Sequence, residues 1–132
     1  MSRENVEIVR RSNAAANRGD LDAAFACYAE AAVWHSRSDE PDTGSYRGLD
    51  AIRAQAGTWA SMLDDLRFEL DDYVDAGEHV IASGWMCGRG TESGAEVREP
   101  FAWVLRLRDG QVVEVREYRS RDEAIEALPA AG

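Results

Sequence analysis

The spacing of hydrophobic residues predicts helices in the first half of the chain. A first helix ends at Arg18, because Gly19 can adopt the left-handed conformation that stops a helix. Apolar positions i, i+3, i+4 and i+7 predict a second helix whose apolar face is Leu21, Ala24, Phe25 and Tyr28. The same spacing predicts a third helix carrying Leu49, Ile52, Ala56, Trp59 and Leu63. Polar residues 36–47, which include Pro41 and Gly44, predict a loop.

The second half of the chain alternates apolar and polar residues, which is the pattern of half-buried strands. This pattern predicts strands at 66–71, 79–87, 96–108 and 111–118. Asp109-Gly110 predicts a tight hairpin between the last two strands. A short helix is predicted at 121–127. Helices followed by an antiparallel meander indicate the α+β class, with the helices packed on one sheet face.

Length and composition predict one globular domain. The 132 residues fit a single domain spanning 1–132, and a hydrophobic fraction of 45% allows a substantial core. No internal repeat or linker-like segment interrupts the pattern. The two cysteines, Cys27 and Cys87, fall in unlike contexts and are expected to be buried thiols rather than a disulfide.

The charge balance excludes several classes of partner. A net charge of −10 without a cluster of Lys or Arg repels phosphate groups, so we expect no nucleic-acid partner. An anionic membrane surface is disfavoured for the same reason, and no apolar run approaches the ~20 residues of a membrane span. The first residues contain no apolar signal segment, so a cytoplasmic location is expected.

Strand phase identifies acidic residues on an otherwise apolar sheet face. On the long strand the inward set is Val97, Glu99, Phe101, Trp103, Leu105 and Leu107. On the last strand the inward set is Val113, Val115 and Glu117. Each set therefore contains one carboxylate, and both carboxylates are predicted to face the helices.

Three titratable side chains are the candidate catalytic residues: His35, Glu99 and Glu117. Six aromatic side chains are candidates for the substrate-binding walls: Trp34, Tyr46, Trp59, Trp85, Phe101 and Trp103. A carboxylate in an apolar cavity resists ionisation, and an imidazole can accept or donate a proton near neutral pH. Together these groups could perform general acid–base chemistry on a neutral apolar substrate.

Each candidate also has a structural interpretation. His35 could be a half-buried histidine bonded to a backbone carbonyl, and Glu99 could form a salt bridge with Arg98. Glu117 could pair with Arg116 or Arg119, and the tryptophans could simply fill the core. With only two histidines, far apart in the pattern, no metal site is expected.

Five short stretches follow one another in a familiar order. They are Arg18-Gly19-Asp20-Leu21, Val33-Trp34-His35, Tyr46-Arg47-Gly48, Asp109-Gly110-Gln111-Val112-Val113 and Arg116-Glu117-Tyr118. This order resembles the SnoaL-like and ketosteroid-isomerase-like families of the NTF2-like superfamily. The resemblance implies a cone in which three N-terminal helices pack on a curved antiparallel sheet enclosing a pocket. It also implies a homodimer through the free sheet face, and a first strand that directs His35 into the pocket.

The resemblance leaves the reaction open. The ketosteroid isomerase apparatus is absent, because His35 stands where that family has its aspartate base, and Ser12 and Trp103 stand near its oxyanion donors. Glu117 matches the acid-bearing strand end of limonene epoxide hydrolase, but the partner residues expected near 81–85 are missing.

Two functions follow from this combination. The first is cofactor-independent acid–base catalysis, of isomerase, cyclase or hydrolase type, on a polyketide-like, terpenoid or similar small apolar molecule. The alternative is a non-catalytic ligand-binding or dimerisation module. The small residues of the first helix, 12–16, also predict a roomy pocket on that side.

Overall fold

The computed structural model describes residues 2–37 and 44–128. Four helices and six strands form in these residues. The helices are α1 (Ser2–Asn17), α2 (Leu21–Phe25), α3 (Leu49–Met62) and α4 (Arg121–Ala127). The strands are β1 (Tyr28–His35), β2 (Ser45–Arg47), β3 (Leu63–Ala76), β4 (His79–Gly90), β5 (Glu96–Arg108) and β6 (Gln111–Tyr118).

The order of helices and strands differs from the expected three helices followed by a sheet. β1 and β2 separate α2 from α3, whereas α4 follows the last strand as predicted. β3 and β4 are also longer than the apolar alternation indicated, at 14 and 12 residues. Their ends contain exposed polar residues that pair through the backbone, and such residues produce no period-two hydrophobic signal.

The second helix is shorter than predicted. Asp20 caps it by accepting a hydrogen bond from the backbone N–H of Ala23 at 3.1 Å, and the helix ends at Phe25. Tyr28 was predicted on this helix, but it begins β1 and pairs with Val112 of β6. The position of Tyr28 in the sequence fits either a helix or a strand. Its pairing with β6 therefore decides that Tyr28 is part of β1. Gly19 has φ of +80°, as the predicted helix stop requires.

One six-stranded sheet has the order β2-β1-β6-β5-β4-β3. The prediction of a wholly antiparallel sheet is wrong, because β1 and β6 are parallel. β2 lies within the predicted loop 36–47, where Tyr46 pairs with Trp34; residues 38–43 of that loop lie outside the described part. A three-residue polar strand at a sheet edge is too short to show alternation.

The two faces of the sheet have different coverings. The inner face packs against α1, α2 and α3 through a buried core that includes Val9, Ile52, Val80 and Leu105. The outer face carries a smaller core in which Ile81, Ala102 and Val104 pack against Ala124 of α4. The outer face is thus partly covered by α4.

A bulge in the β5–β6 hairpin changes the predicted phase of β6. Leu107 pairs with Val112, whereas the preceding Arg106 pairs with Glu114, so Val113 is an extra residue. Val112 is fully buried in the inner core in place of Val113, which was predicted to face inward. Val115, beyond the bulge, is on the inner face as predicted.

Candidate functional site

A cavity of about 550 Å³ lies on the inner face of the sheet. Residues of α1 and α3 line one side of it, including Ser12, Asn13, Ala16, Ile52, Ala56 and Trp59. Residues of β1, β3, β5 and β6 line the other side. The volume is in the range of pockets that hold small organic molecules.

Four aromatic side chains form a continuous part of the cavity lining, which we call the ring cluster: Trp34, Phe68, Phe101 and Trp103. Trp103 is its centre, with ring centroids 5.7 Å from Trp34, 4.8 Å from Phe68 and 4.7 Å from Phe101. Phe68 and Phe101 are 5.0 Å apart. The pairs other than Phe68 and Trp103 are edge-to-face, a geometry that stabilises aromatic pairs beyond simple burial.

Glu117 is an acidic side chain in direct contact with the ring cluster. It lies opposite Trp103 in the β5–β6 pairing, lines the cavity and is half-buried. Its Oε2 accepts a hydrogen bond of 2.8 Å from Nε1 of Trp34. An indole N–H donates only, so it fixes the position of a carboxylate oxygen without neutralising the charge. The contact therefore orients a proton acceptor at an aromatic wall.

Glu99 also lines the cavity, from β5, where it pairs with Met86 of β4. It is exposed, which places it at the open edge of the cavity rather than in the interior. Arg98, its proposed salt-bridge partner, lies on the outer face with its guanidinium 4.0 Å from the ring of Trp85. Its Nη2 is 4.0 Å from Oε1 of Glu69.

His35 does not enter the cavity, contrary to its predicted position. Successive side chains of a strand point to opposite faces, and Trp34 takes the inner face. His35 is consequently on the outer face, where Nε2 lies 3.2 Å from Oε2 of Glu114 and Nδ1 lies 2.7 Å from Oγ of Ser45. Its acidic neighbour is thus Glu114, and the cavity acid Glu117 is on the other side of the sheet.

Trp85 likewise lies on the outer face, contrary to the prediction that it lines the pocket. Its neighbour Met86 takes the inner position and lines the cavity. The other predicted wall residues are all part of the lining: Trp34, Tyr46, Trp59, Phe101 and Trp103. The sequence could not show which face of β4 carries Trp85, because β4 contains apolar residues on both faces.

Several lining residues were missed by the sequence analysis, and Tyr28 is the most consequential. Its burial, with a smaller contribution from the neighbouring Cys27 thiol, raises the pKa of the Tyr28 phenol well above its usual range. The hydroxyl is therefore protonated at neutral pH and can act as a donor. Simple alternation does not reveal Tyr28, because the register of β1 shifts between Tyr28 and Val33 and the intervening Glu30 is exposed.

Two asparagines fasten α1 to the cavity wall. Nδ2 of Asn13 and Nδ2 of Asn17 each donate a 3.0 Å hydrogen bond to the carbonyl oxygen of Phe68. Oδ1 of Asn17 accepts a 2.9 Å bond from the N–H of the same residue. These bonds hold the small side chain of Ala16 at the cavity while leaving its volume unfilled.

Cysteines and possible metal ligands also lie outside the cavity among the described residues. Cys27 and Cys87 are separate thiols, and burial raises the pKa of Cys27. Among residues 2–37 and 44–128, no three His, Cys, Asp or Glu side chains are grouped to hold a metal ion. No helix in the same ranges is long and apolar enough to cross a membrane.

Sequence comparison now identifies the family. The profile of the SnoaL-like domain matches residues 9–115. The protein belongs to the SnoaL-like domain family. This assignment confirms the resemblance drawn from the sequence motifs. No curated protein matches this SnoaL-like chain.

Solved structures agree with this assignment. An NTF2-like protein from Burkholderia thailandensis E264 is 28% identical, with a TM-score of 0.79 over 95% of this chain and 98% of that one. An NTF2-like protein from Burkholderia xenovorans LB400 is 27% identical, with a TM-score of 0.77 over 98% of both chains. A candidate SnoaL-like polyketide cyclase from Jannaschia sp. CCS1 shares the fold at 19% identity, with a TM-score of 0.77 over 99% and 95%.

Proposed function

We propose that this SnoaL-like protein binds a small, largely apolar molecule in the inner-face cavity and catalyses a cofactor-independent proton transfer on it. Glu117 is the acid–base group, and the reaction is of isomerase, cyclase or hydrolase type on a polyketide-like, terpenoid or similar substrate. The observation that carries this proposal is the 2.8 Å hydrogen bond from Trp34 to Glu117 at an aromatic cavity wall.

The surroundings of Glu117 suit proton transfer. A general base must lie within hydrogen-bond reach of the proton that it takes, and Glu117 lines the same cavity that would hold the substrate. The aromatic walls lower the effective dielectric constant around a bound substrate, which strengthens electrostatic interactions inside the cavity. Because His35 lies on the outer face beside Glu114, it takes no part in this proton transfer.

Other polar lining residues supply polarising groups. Glu99 at the cavity edge and Tyr46 from β2 can contact polar atoms of the substrate. Tyr28, which stays protonated at neutral pH, can donate a hydrogen bond to a carbonyl oxygen on which negative charge develops. The ring cluster and Trp59 bind the apolar body of the molecule.

A chromogenic reaction that needs only a positioned base tests this proposal without knowledge of the natural substrate. In 5-nitrobenzisoxazole, Glu117 would take the proton from C3 while the N–O bond breaks, its electron pair passing to oxygen. The product is the coloured 2-cyano-4-nitrophenolate. We expect saturable acceleration by the wild-type protein, and a rate at least about 10-fold lower in Glu117→Gln, since a positioned acid–base group contributes 10²–10⁴-fold.

Glu96→Gln is the matched control, because it removes the same charge from a side chain that is 85% exposed. Its rate should equal that of the wild type. Circular dichroism checks that both variants are folded. Equal rates for Glu117→Gln and the wild type would contradict the catalytic role of Glu117.

A non-catalytic binding module is the second candidate. It is favoured by the position of His35, which leaves the cavity with fewer acid–base groups than the sequence indicated. In that case the protein would bind 5-nitrobenzisoxazole in the cavity without accelerating its opening.

The assembly of the protein forms part of the same proposal. A second copy would pack on the outer face of the sheet, where Trp85 and Arg98 lie, to form the homodimer that the family resemblance implies. Sedimentation equilibrium would show a dimer, and a monomer at all concentrations would contradict this part. The cytoplasmic location and the lack of a nucleic-acid partner stay predictions.

A further inference from the structure

The ring cluster has an unusual shape for binding a flat molecule. Its neighbouring rings are inclined by 78° for Trp34 and Trp103, 70° for Phe101 and Trp103, 64° for Phe68 and Phe101, and 49° for Phe68 and Trp103. None of these pairs is parallel, so the wall is stepped. A planar ligand can stack on one ring only, whereas a compact, rounded group can contact several rings at once.

The faces of these rings favour positive charge. An aromatic ring has a negative face, which attracts an ammonium or guanidinium group within about 6 Å of the ring centroid, most strongly for Trp. Arg10, Arg53 and Arg98 make such contacts, but with Tyr73, Phe25 and Trp85 respectively. None of those three rings belongs to the ring cluster, so these arginines do not occupy it.

Two carboxylates flank the ring cluster. Oε2 of Glu117 is bonded to the indole of Trp34, and Glu99 lies two residues before Phe101 on the same face of β5. Arg18 and Arg37 also line the cavity, from the exposed end of α1 and from the segment after β1. Glu99 projects from β5, the strand of Phe101 and Trp103, and Glu117 projects from β6, which lies between β1 and β5 in the sheet.

We propose that the ligand of this cavity carries a cationic alkylammonium group on an apolar body, with the ammonium against the ring cluster and near Glu117. This inference rests on the proposed function only in that the cavity is the ligand site; it does not require catalysis. It sharpens the substrate class from any apolar molecule to an organic amine that is protonated or quaternary.

A pair of probes with one shape and different charge tests the inference. Phenyltrimethylammonium and tert-butylbenzene differ only by nitrogen or carbon at the branched centre. The neutral probe gains more from leaving water, so a preference for the cation has to come from the site itself. We expect the wild-type protein to bind phenyltrimethylammonium at least about 10-fold more tightly, as measured by ligand NMR titration.

The overall negative charge of the protein is controlled in two ways. In 1 M NaCl the Debye screening length falls to about 3 Å. Attraction to distant charges is then suppressed, while contacts within the cavity persist. Glu117→Gln and Glu96→Gln remove the same charge, but only Glu117 lines the cavity. We expect Glu117→Gln to weaken binding of the cation several-fold and Glu96→Gln to leave it unchanged.

The outcomes separate this inference from the proposed function. If tert-butylbenzene binds as tightly as phenyltrimethylammonium, the cationic ligand is wrong while the apolar cavity stands. If neither probe binds, both the ammonium inference and the cavity as a ligand site are contradicted. Binding of the cation without opening of 5-nitrobenzisoxazole would support the inference and favour the binding module over the enzyme.

Discussion

Gly84→Ala is expected to lower the free energy of unfolding by about 3 kcal/mol or more, an unusually large effect for the addition of one methyl group. A Cβ atom at residue 84 would lie 2.0 Å from the carbonyl oxygen of Glu69 and 2.9 Å from Cα of Leu70. Both obstacles are backbone atoms of β3, so no side-chain rotation can relieve the clash. The strands themselves would have to separate.

This clash bears on the cavity as well as on stability. Gly84 pairs with Leu70 where the β3–β4 register shifts, and the same strands place Phe68 and Met86 in the cavity lining. A displaced β3 would move Phe68 away from Trp103 and weaken the hydrogen bond between its carbonyl oxygen and Asn13 of α1. We therefore expect the variant to lose probe binding together with stability.

Gly57→Ala is the matched control for this prediction. Gly57 lies within α3, where an added Cβ would meet nothing within 4 Å beyond its chain neighbours and the backbone of its own helix, so alanine should stabilise the helix by about 0.5–1 kcal/mol. Urea unfolding followed by circular dichroism measures both variants. Similar unfolding midpoints for the two variants would show that β3 and β4 are not as close as described.

Ala16→Trp is expected to weaken binding of 5-nitroindazole, an unreactive planar analogue of the benzisoxazole, by about 30-fold, or ~2 kcal/mol. Ala16 lines the cavity from α1, and a tryptophan there would fill space that the ligand needs. The helix itself stays in place through Asn13 and Asn17, which hydrogen-bond to Phe68. The dissociation constant is measured by isothermal titration calorimetry.

Ala14→Trp supplies the control on the same helix, because Ala14 is exposed. Its affinity for 5-nitroindazole should match that of the wild type, and both variants should unfold at similar urea concentrations. Equal affinities of Ala16→Trp and Ala14→Trp would show that the α1 side of the cavity does not contact the ligand.

The sequence predicted the parts of the fold that are governed by local chemistry. The β5–β6 hairpin turns at Asp109 and Gly110, whose φ angles of 53° and 76° are those that an Asp-Gly turn adopts. α4 is where its spacing placed it, at Arg121–Ala127, and Ser120 caps it with a hydrogen bond from the N–H of Glu123 at 3.2 Å. In both cases the determining residues are adjacent in the chain.

The pairing of strands that are distant in the chain could not be predicted from the local spacing of hydrophobic residues. Tyr28 joins β1 because β6 is available beside it, and nothing near Tyr28 in the chain indicates that strand. The parallel pairing of β1 with β6 and the short β2 have the same origin. The extra residue Val113 likewise shows only in the register of two strands, since a bulge has no hydrophobic period of its own.

The candidate site was predictable wherever strand phase was unambiguous. On β5 the apolar alternation is regular, so Glu99, Phe101 and Trp103 are correctly placed on the inner face. On β1 the resemblance assigned His35 to the pocket, but the alternation gives that face to Trp34. A difference of one position along β1 therefore places the indole of Trp34, and not the imidazole of His35, on the inner face. As a result, Glu117 accepts a hydrogen bond from Trp34.

The indole N–H signals of the four tryptophans test the central claim most directly, because they sample both faces of the sheet. Trp34, Trp59 and Trp103 line the cavity, whereas Trp85 lies under Arg98 on the outer face. During titration with 5-nitroindazole in a ¹H–¹⁵N spectrum, we expect the first three signals to shift, Trp34 most of all, and Trp85 to stay. A shift of Trp85 as large as that of Trp34, or no shift at saturating probe, would contradict a ligand site at Glu117.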